Sequence, residues 1–193
     1  VLFFSNSQTS PIQTHEFNNA DTAWMIVASA LVLLMTPGLA FFYGGMVSKK
    51  NVISTMLQSF IALGIISLVW VLFGFSLAFG ETIKGWGIIG NPFQYAFLNN
   101  LDSKNSNIPY LLFALFQLKF AIITPAIITG SFAERIRFRS YLLFMILFCI
   151  VIYCPLAHMT WAEDGLFANM VDILNLNCFE NLHILDFAGG TVV

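Results

Sequence analysis

The sequence predicts an all-α membrane protein, a polytopic bundle of transmembrane helices, and three observations predict it. Only 9% of the 193 residues are charged and 58% are hydrophobic. A soluble domain carries about 25% charge, and a surface that faces acyl chains accounts for the shortfall, since it needs no polar groups. Apolar runs of the roughly 20 residues that cross a bilayer core recur along the chain, and most of the charge lies between them. The net charge of −2 makes no electrostatic case for nucleic acid.

The chain begins on Val1 and ends on Val193 inside an apolar stretch, so truncation at both ends is expected. Residues 1–20 read as an extracytoplasmic arm, polar from Ser5 onward, with Pro11, Asn18 and Asn19. Asp21 suits the N-cap of the first span, about Thr22 to Met46, because its carboxylate can accept an unpaired N–H of the first turn. Pro37-Gly38 inside that span predicts a kink or local unwinding. Gly38, Gly44 and Gly45 offer smooth surface for close helix packing. Lys49 and Lys50 sit in the short loop that follows.

The second span is about Ser54 to Phe79, with Ser59, Ser67 and Ser76 able to bond their own backbone and Gly64 and Gly74 permitting close approach. Gly80 to Ile108, rich in Gly, Asn and aromatics, reads as a structured interfacial connection. The third span, about residues 109–133, ends at the charged run Glu134 to Arg139, where Glu134 and Arg135 suggest a helix stop with local ion pairs. The fourth, about Tyr141 to Trp161, is interrupted by Pro155. A second long connection, Ala162 to Leu185, carries Glu163, Asp164, Asp172 and Glu180, and a fifth apolar run starts near Asp186.

Lys and Arg placement predicts orientation. Lys49 and Lys50 share one side with Arg135, Arg137 and Arg139, whereas the other side holds only Lys84 and Lys104 and most of the acids. The positive-inside rule then places the N-terminus outside.

Few residues suggest chemistry. Phe116 and Phe120, four apart, share a helix face; among 21 Phe the ordinary role is packing, and the sharper one is a pore-lining pair that meets a cation with its ring faces. Trp161 fits an interfacial aromatic belt or a cation–π platform at a pore mouth. Asp186 fits an N-cap, a fixed negative charge that attracts cations, or both. Lys119 lies within the third span, where a charge must snorkel, pair or face protein; it is expected to point away from any cation path, toward a subunit contact. His158 reads as a hydrogen-bonded structural histidine, and nothing marks His15 or His183. Cys149 and Cys154 read as small buried hydrophobes and Cys178 has no evident disulfide partner. No HExxH, P-loop, GxSxG or redox Cys pair is present, so an enzyme reading has no support and no cofactor is implied.

Four stretches, in order, resemble the ammonium transporter (Amt/Mep/Rh) family: DTAWMIVASALVLLMTPGLAFFYGGMVSKKN (Asp21 to Asn51), FQLKFAIITPAIITGSFAERIRF (Phe116 to Phe138), PLAHMTW (Pro155 to Trp161) and LDFAGGTVV (Leu185 to Val193). The resemblance covers residues 21–193 and implies a partial transporter domain: the first inverted repeat of an eleven-span fold, with the N-terminus outside. It implies a homotrimer in the plasma membrane, one narrow pore per subunit, and ammonium or ammonia as the substrate for nitrogen uptake. A cytoplasmic regulatory protein is a partner common in the bacterial family.

On those terms Trp161 matches the vestibule Trp that meets ammonium, Phe120 the first-half gate Phe, Phe116 the aromatic one turn away, and Asp186 the Asp near the site. The family's first pore His follows LDFAGGTVV at once, so it falls beyond Val193; the second His, the vestibule hydroxyl and the second gate Phe belong to the other half. Binding sites of inverted-repeat transporters form between the repeats, so one half is not expected to conduct alone. The connection 162–185 departs from the family by its length and acidity, which could reshape the vestibule rim or concentrate cations. The alternatives to transport are an Amt-like ammonium sensor acting through a fused or partner signalling domain, and a truncated, non-functional product.

Overall fold

A computed structural model describes residues 17–101, 107–168, 186 and 189–193, with the side chain of Lys84 excepted. Most of the N-terminal arm and of the acidic connection, with His15, Lys104, Asp172, Cys178, Glu180 and His183, lie outside the described residues. Four helices are long and apolar enough to cross a membrane: Asn19–Met46, Val52–Phe79, Tyr110–Phe132 and Phe138–Trp161. No strand occurs among the described residues beyond one isolated bridge, Thr82 to Gly90. The second span is the hub, packing against the first, third and fourth; the first is the least buried.

The first helix begins earlier than the sequence predicts. Asn18, not Asp21, is the N-cap: its Oδ1 accepts the N–H groups of Ala20 (3.0 Å) and Asp21 (3.3 Å). Asp21 falls in the first turn, where its charge still complements the helix dipole. Helix continues through Pro37 without unwinding. Of the glycines expected to admit close packing, Gly44 does so against the next helix, whereas Gly74 makes room for a ring of its own helix. A Cβ at Gly44 would meet Met56 Cγ at 2.8 Å and one at Gly74 the Trp70 ring at 3.2 Å, while Gly38, Gly45 and Gly64 face open space. Gly130, in the third span, has the closer task. The Tyr43 ring lies where its Cβ would stand (2.6 Å), and the Tyr43 hydroxyl donates to the Ile127 carbonyl.

Two spans contain a π-turn that hydropathy does not reveal. In the second span it covers Trp70–Gly74 and in the fourth Cys149–Tyr153. The second of these directly precedes Pro155. A proline has no N–H and crowds the carbonyl four residues back, so a wider turn just upstream lets the helix run on where the sequence suggests an interruption. The two turns lie side by side. Trp70 and Tyr153 pack with ring centroids 6.2 Å apart, and Cys154 Sγ–H donates to the Gly74 carbonyl (3.5 Å). Trp70 is buried and its Nε1–H donates to the Ala114 carbonyl (3.1 Å), which joins the third span to the same core. Cys149 and Cys154 are buried as expected.

At the basic end the two short loops are fastened together. Glu134 Oε1 accepts the Ser48 N–H (2.7 Å), the Ser48 hydroxyl (2.6 Å) and Asn51 Nδ2–H (3.2 Å). The carboxylate thus bonds across loops rather than to local cations, and it holds Glu134 in a left-handed conformation (φ +66°) that a non-glycine residue adopts rarely. The Ser48 hydroxyl, then the Ser48 N–H and the Asn51 amide, hold its pKa below the ordinary value of 4.5. A depressed acid contributes stability above its unfolded pKa and loses it as pH falls through the folded one. Glu134→Ala is therefore expected to lower the thermal unfolding temperature in detergent at neutral pH. The difference from wild type should vanish once the pH is below the depressed value, where the native clasp is itself released.

Candidate functional site

The ends of the third and fourth spans opposite the basic loops converge with the C-terminal segment. Phe116 and Phe120, one turn apart on the third helix, pack edge to face with centroids 5.1 Å apart and an interplanar angle of 73°. Phe120 in turn meets Trp161, the last residue of the fourth span, at 6.4 Å and 70°. Trp161 Nε1–H donates to Asp186 Oδ2 (3.1 Å). The four residues singled out from sequence thus form one contiguous chain, Phe116–Phe120–Trp161–Asp186. All four are partly exposed, and Phe120 and Trp161 pack against the buried core.

Asp186 is a cap as well as a partner for Trp161. Its Oδ1 accepts the Thr191 N–H (3.2 Å) and its Oδ2 the Val192 N–H (3.3 Å), while Val193 N–H closes a helical turn on the Gly189 carbonyl (2.8 Å). Gly189 has φ +75°, which a side chain would strain, and a Cβ there would lie 3.8 Å from the Trp161 ring. One carboxylate therefore sets the height of the indole and the start of the following turn together. Its negative charge stays beside the rings.

His158, one turn before Trp161, is fully buried. Its Nδ1 contacts the Ala78 carbonyl (3.2 Å) and its Nε2 the Thr82 hydroxyl (2.9 Å), which makes it the hydrogen-bonded histidine the sequence suggests. The Thr82 N–H also donates to Asp164 Oδ2 (2.5 Å). Partial burial pushes the Asp164 pKa up, but the Thr82 donors and the neighbouring His158 outweigh it and hold the group below the ordinary carboxylate value. Thr82 and Asp164 carry no sequence signal as site residues, because loop residues 82 positions apart meet only through the packing of the second and fourth spans. Ser76, expected to bond its own backbone, instead donates to the Asn91 carbonyl (2.7 Å) and accepts the Tyr95 N–H (2.9 Å), which folds the long connection over the helix end.

Lys119 is half-buried, and among the described residues its ammonium has no hydrogen bond or ion pair. By helical spacing it shares its face with Leu115 and Phe116 and lies about a quarter-turn from Phe120. No group of three or more His, Cys, Asp or Glu among the described residues could hold a metal ion.

A sequence model described as the Ammonium Transporter Family matches residues 23–193. The "Ammonium transporter" of Mycobacterium bovis is 43% identical over 194 residues, covering 91% of this chain and 39% of that protein. The "Ammonium transporter" of Aquifex aeolicus is 44% identical over 181 residues, covering 92% and 39%. The chain thus spans about two fifths of the length of these relatives. The crystal structure of Candida albicans Mep2 superposes with a TM-score of 0.73 at 30% identity, covering 91% of this chain and 36% of that one. A structure titled "Sensor Amt Protein" gives 0.69 at 31% identity, covering 74% and 34%.

Removing the Asp186 carboxylate would leave the Trp161 N–H and two backbone N–H groups without their acceptor. Asp186→Ala is expected to speed amide hydrogen exchange at Thr191 and Val192 by about tenfold or more, the equivalent of one lost charge-assisted bond. Asp186→Asn, which keeps an acceptor, should fall between. Exchange measured by mass spectrometry in detergent reads both.

Proposed function

The chain belongs to the ammonium transporter family, and we propose that it forms the first repeat of a membrane transporter for ammonium, with the Phe116–Phe120–Trp161–Asp186 chain as its half of the recognition site and gate. The observation that carries this reading is the continuity of that chain: three partly exposed rings in edge contact, the last held at its N–H by a carboxylate. Such a surface suits a small cation with four N–H donors. Ring faces replace part of the hydration shell, at about 0.5–2 kcal/mol per contact depending on desolvation. The Asp186 charge favours a cation over neutral solutes nearby, although three donors already engage it. Phe120, between Phe116 and Trp161, is placed to close the path below the recognition site. Beyond it a dry pore disfavours metal ions, which cannot shed a proton as ammonium can.

The same reading places the basic loops in the cytoplasm and the Trp161 end outside, as the Lys and Arg count predicts. The clasp between Ser48, Asn51 and Glu134 supports one part of this, since it puts the two basic loops at one end. The assembled protein is a homotrimer in the plasma membrane, and its basic face is where a cytoplasmic regulatory protein docks. Similarity to the Sensor Amt Protein supports a second reading, in which the same recognition site drives signalling through a fused or partner domain.

In the complete coding sequence, Trp161→Leu is expected to raise the half-saturating ammonium concentration and lower selectivity over potassium, because Leu has no ring face. Unchanged concentration dependence and selectivity would count against the recognition role. Asp186→Ala should abolish or strongly reduce uptake and Asp186→Glu should reduce it less. Wild-type uptake in the Ala variant would remove the charge from the scheme. Uptake without a signalling output, or output without uptake, separates transporter from sensor.

A further inference from the structure

The fourth span ends at Trp161, and Ala162 is already extended (ψ 145°). The position of the indole therefore depends on what holds the helix end. One tether is Asp186. The other is a set of bonds to the connection after the second span. The Ala78 carbonyl can only accept, so His158 Nδ1 carries the proton that bonds it, while Nε2 bonds the Thr82 hydroxyl, which also reaches the Asp164 backbone carbonyl (3.2 Å). The Thr82 backbone N–H bonds the Asp164 carboxylate, and the Leu166 N–H bonds the Gly87 carbonyl (2.8 Å). The turn after Trp161 is closed by Ala162 N–H to the His158 carbonyl (3.1 Å) and Gly165 N–H to the Ala162 carbonyl (3.0 Å). Thr82 itself is anchored by its bridge to Gly90, whose N–H bonds the Leu77 carbonyl (2.9 Å).

We propose that Thr82, His158 and Asp164 form a positioning clip that holds Trp161 at the height where it meets Phe120, so that Thr82, which touches none of the recognition rings, helps set the affinity for ammonium. Three observations carry it. The buried imidazole is one turn from Trp161 and has both nitrogens engaged. Thr82 uses its backbone and its side chain on two different groups of the fourth span and its following turn. Those bonds fasten the helix one turn before Trp161 and the turn that follows it, independently of the Asp186 tether on the indole itself, so the ring is held by two separate tethers only while they are intact. This inference rests on Trp161 being the recognition residue.

The test measures ammonium uptake in cells expressing the complete coding sequence, with the amount of protein in the membrane determined. Half-saturating concentration and maximal rate per molecule are then read separately. Thr82→Val keeps the shape and removes the hydroxyl. It is expected to raise the half-saturating concentration about three- to tenfold, the scale of one buried hydrogen bond, with the maximal rate per molecule retained. Thr82→Ser should restore it to near wild type. A role confined to folding would instead lower the amount of protein and leave the half-saturating concentration unchanged. That result, or failure of Thr82→Ser to rescue, overturns the proposal. Should Thr82→Val not reach the membrane, Asp164→Ala decides by the same readout, since that side chain is 46% exposed and its loss opens no cavity. Trp161→Leu runs in parallel. If it raises the half-saturating concentration while Thr82→Val and Asp164→Ala do not, recognition by Trp161 stands and the clip is overturned. If it has no effect, the recognition reading falls and the clip with it.

Discussion

The parallel register between the second and fourth spans governs the arrangement of the rest. Position n of one helix lies beside position n + 80 of the other: Cys154 Sγ–H bonds the Gly74 carbonyl, and His158 bonds the Ala78 carbonyl one turn further on. Small residues make that approach possible, since Gly74, Ala78, Cys154 and Ala157 are all buried at the seam. In lipid a backbone carbonyl freed from its helical partner has no water to bond, so irregular turns survive only where another group satisfies them. The π-turns at Trp70–Gly74 and Cys149–Tyr153 lie at matching positions inside the bundle, where a thiol from the fourth span reaches a carbonyl of the second.

From that seam the two ends acquire different characters. Toward the basic end, polar side chains bond between short loops, and Glu134 takes three donors in a strained conformation that fixes the spacing of the first and third spans. Toward the other end the seam continues as side-chain bonds from His158 to Thr82, then as backbone bonds into the turn after Trp161. The aromatic chain is therefore not a loose belt. Its terminal indole is fastened to Asp186 and its helix to the connection between the second and third spans, while Phe116 and Phe120 ride on a third helix bonded to the same core through Trp70 and Ala114.

Much of this was legible in the residues. Apolar length marked the four spans to within about three residues at each end, because the bilayer imposes one dominant requirement. Phe116, Phe120, Trp161 and Asp186 were identified by helix spacing and family pattern, and the fold brings them together in that order. What the pattern missed was polar detail decided by partners distant in sequence. Asn18 displaced Asp21 as the N-cap by one turn, a choice between two good acceptors that local sequence barely separates. Gly38 and Gly130 read alike as letters, yet only Gly130 faces a ring. Pro155 signalled a break, and the helix absorbed it in a π-turn.

By itself the sequence determined that the chain is a helical membrane protein of the ammonium transporter family, where its long apolar helices lie, and which aromatic and acidic residues carry the family pattern. Hydrophobic length and motif order suffice for that because each is a property of one contiguous stretch. Only the tertiary structure decided that Thr82 meets His158 and Asp164, that Glu134 bonds the opposite loop instead of its neighbouring arginines, and that the end of the fourth span is tethered both through Trp161 and through His158. Each of those is a hydrogen bond between residues brought together by helix packing. Its existence depends on angstrom-scale register between spans, which no single stretch of the chain encodes.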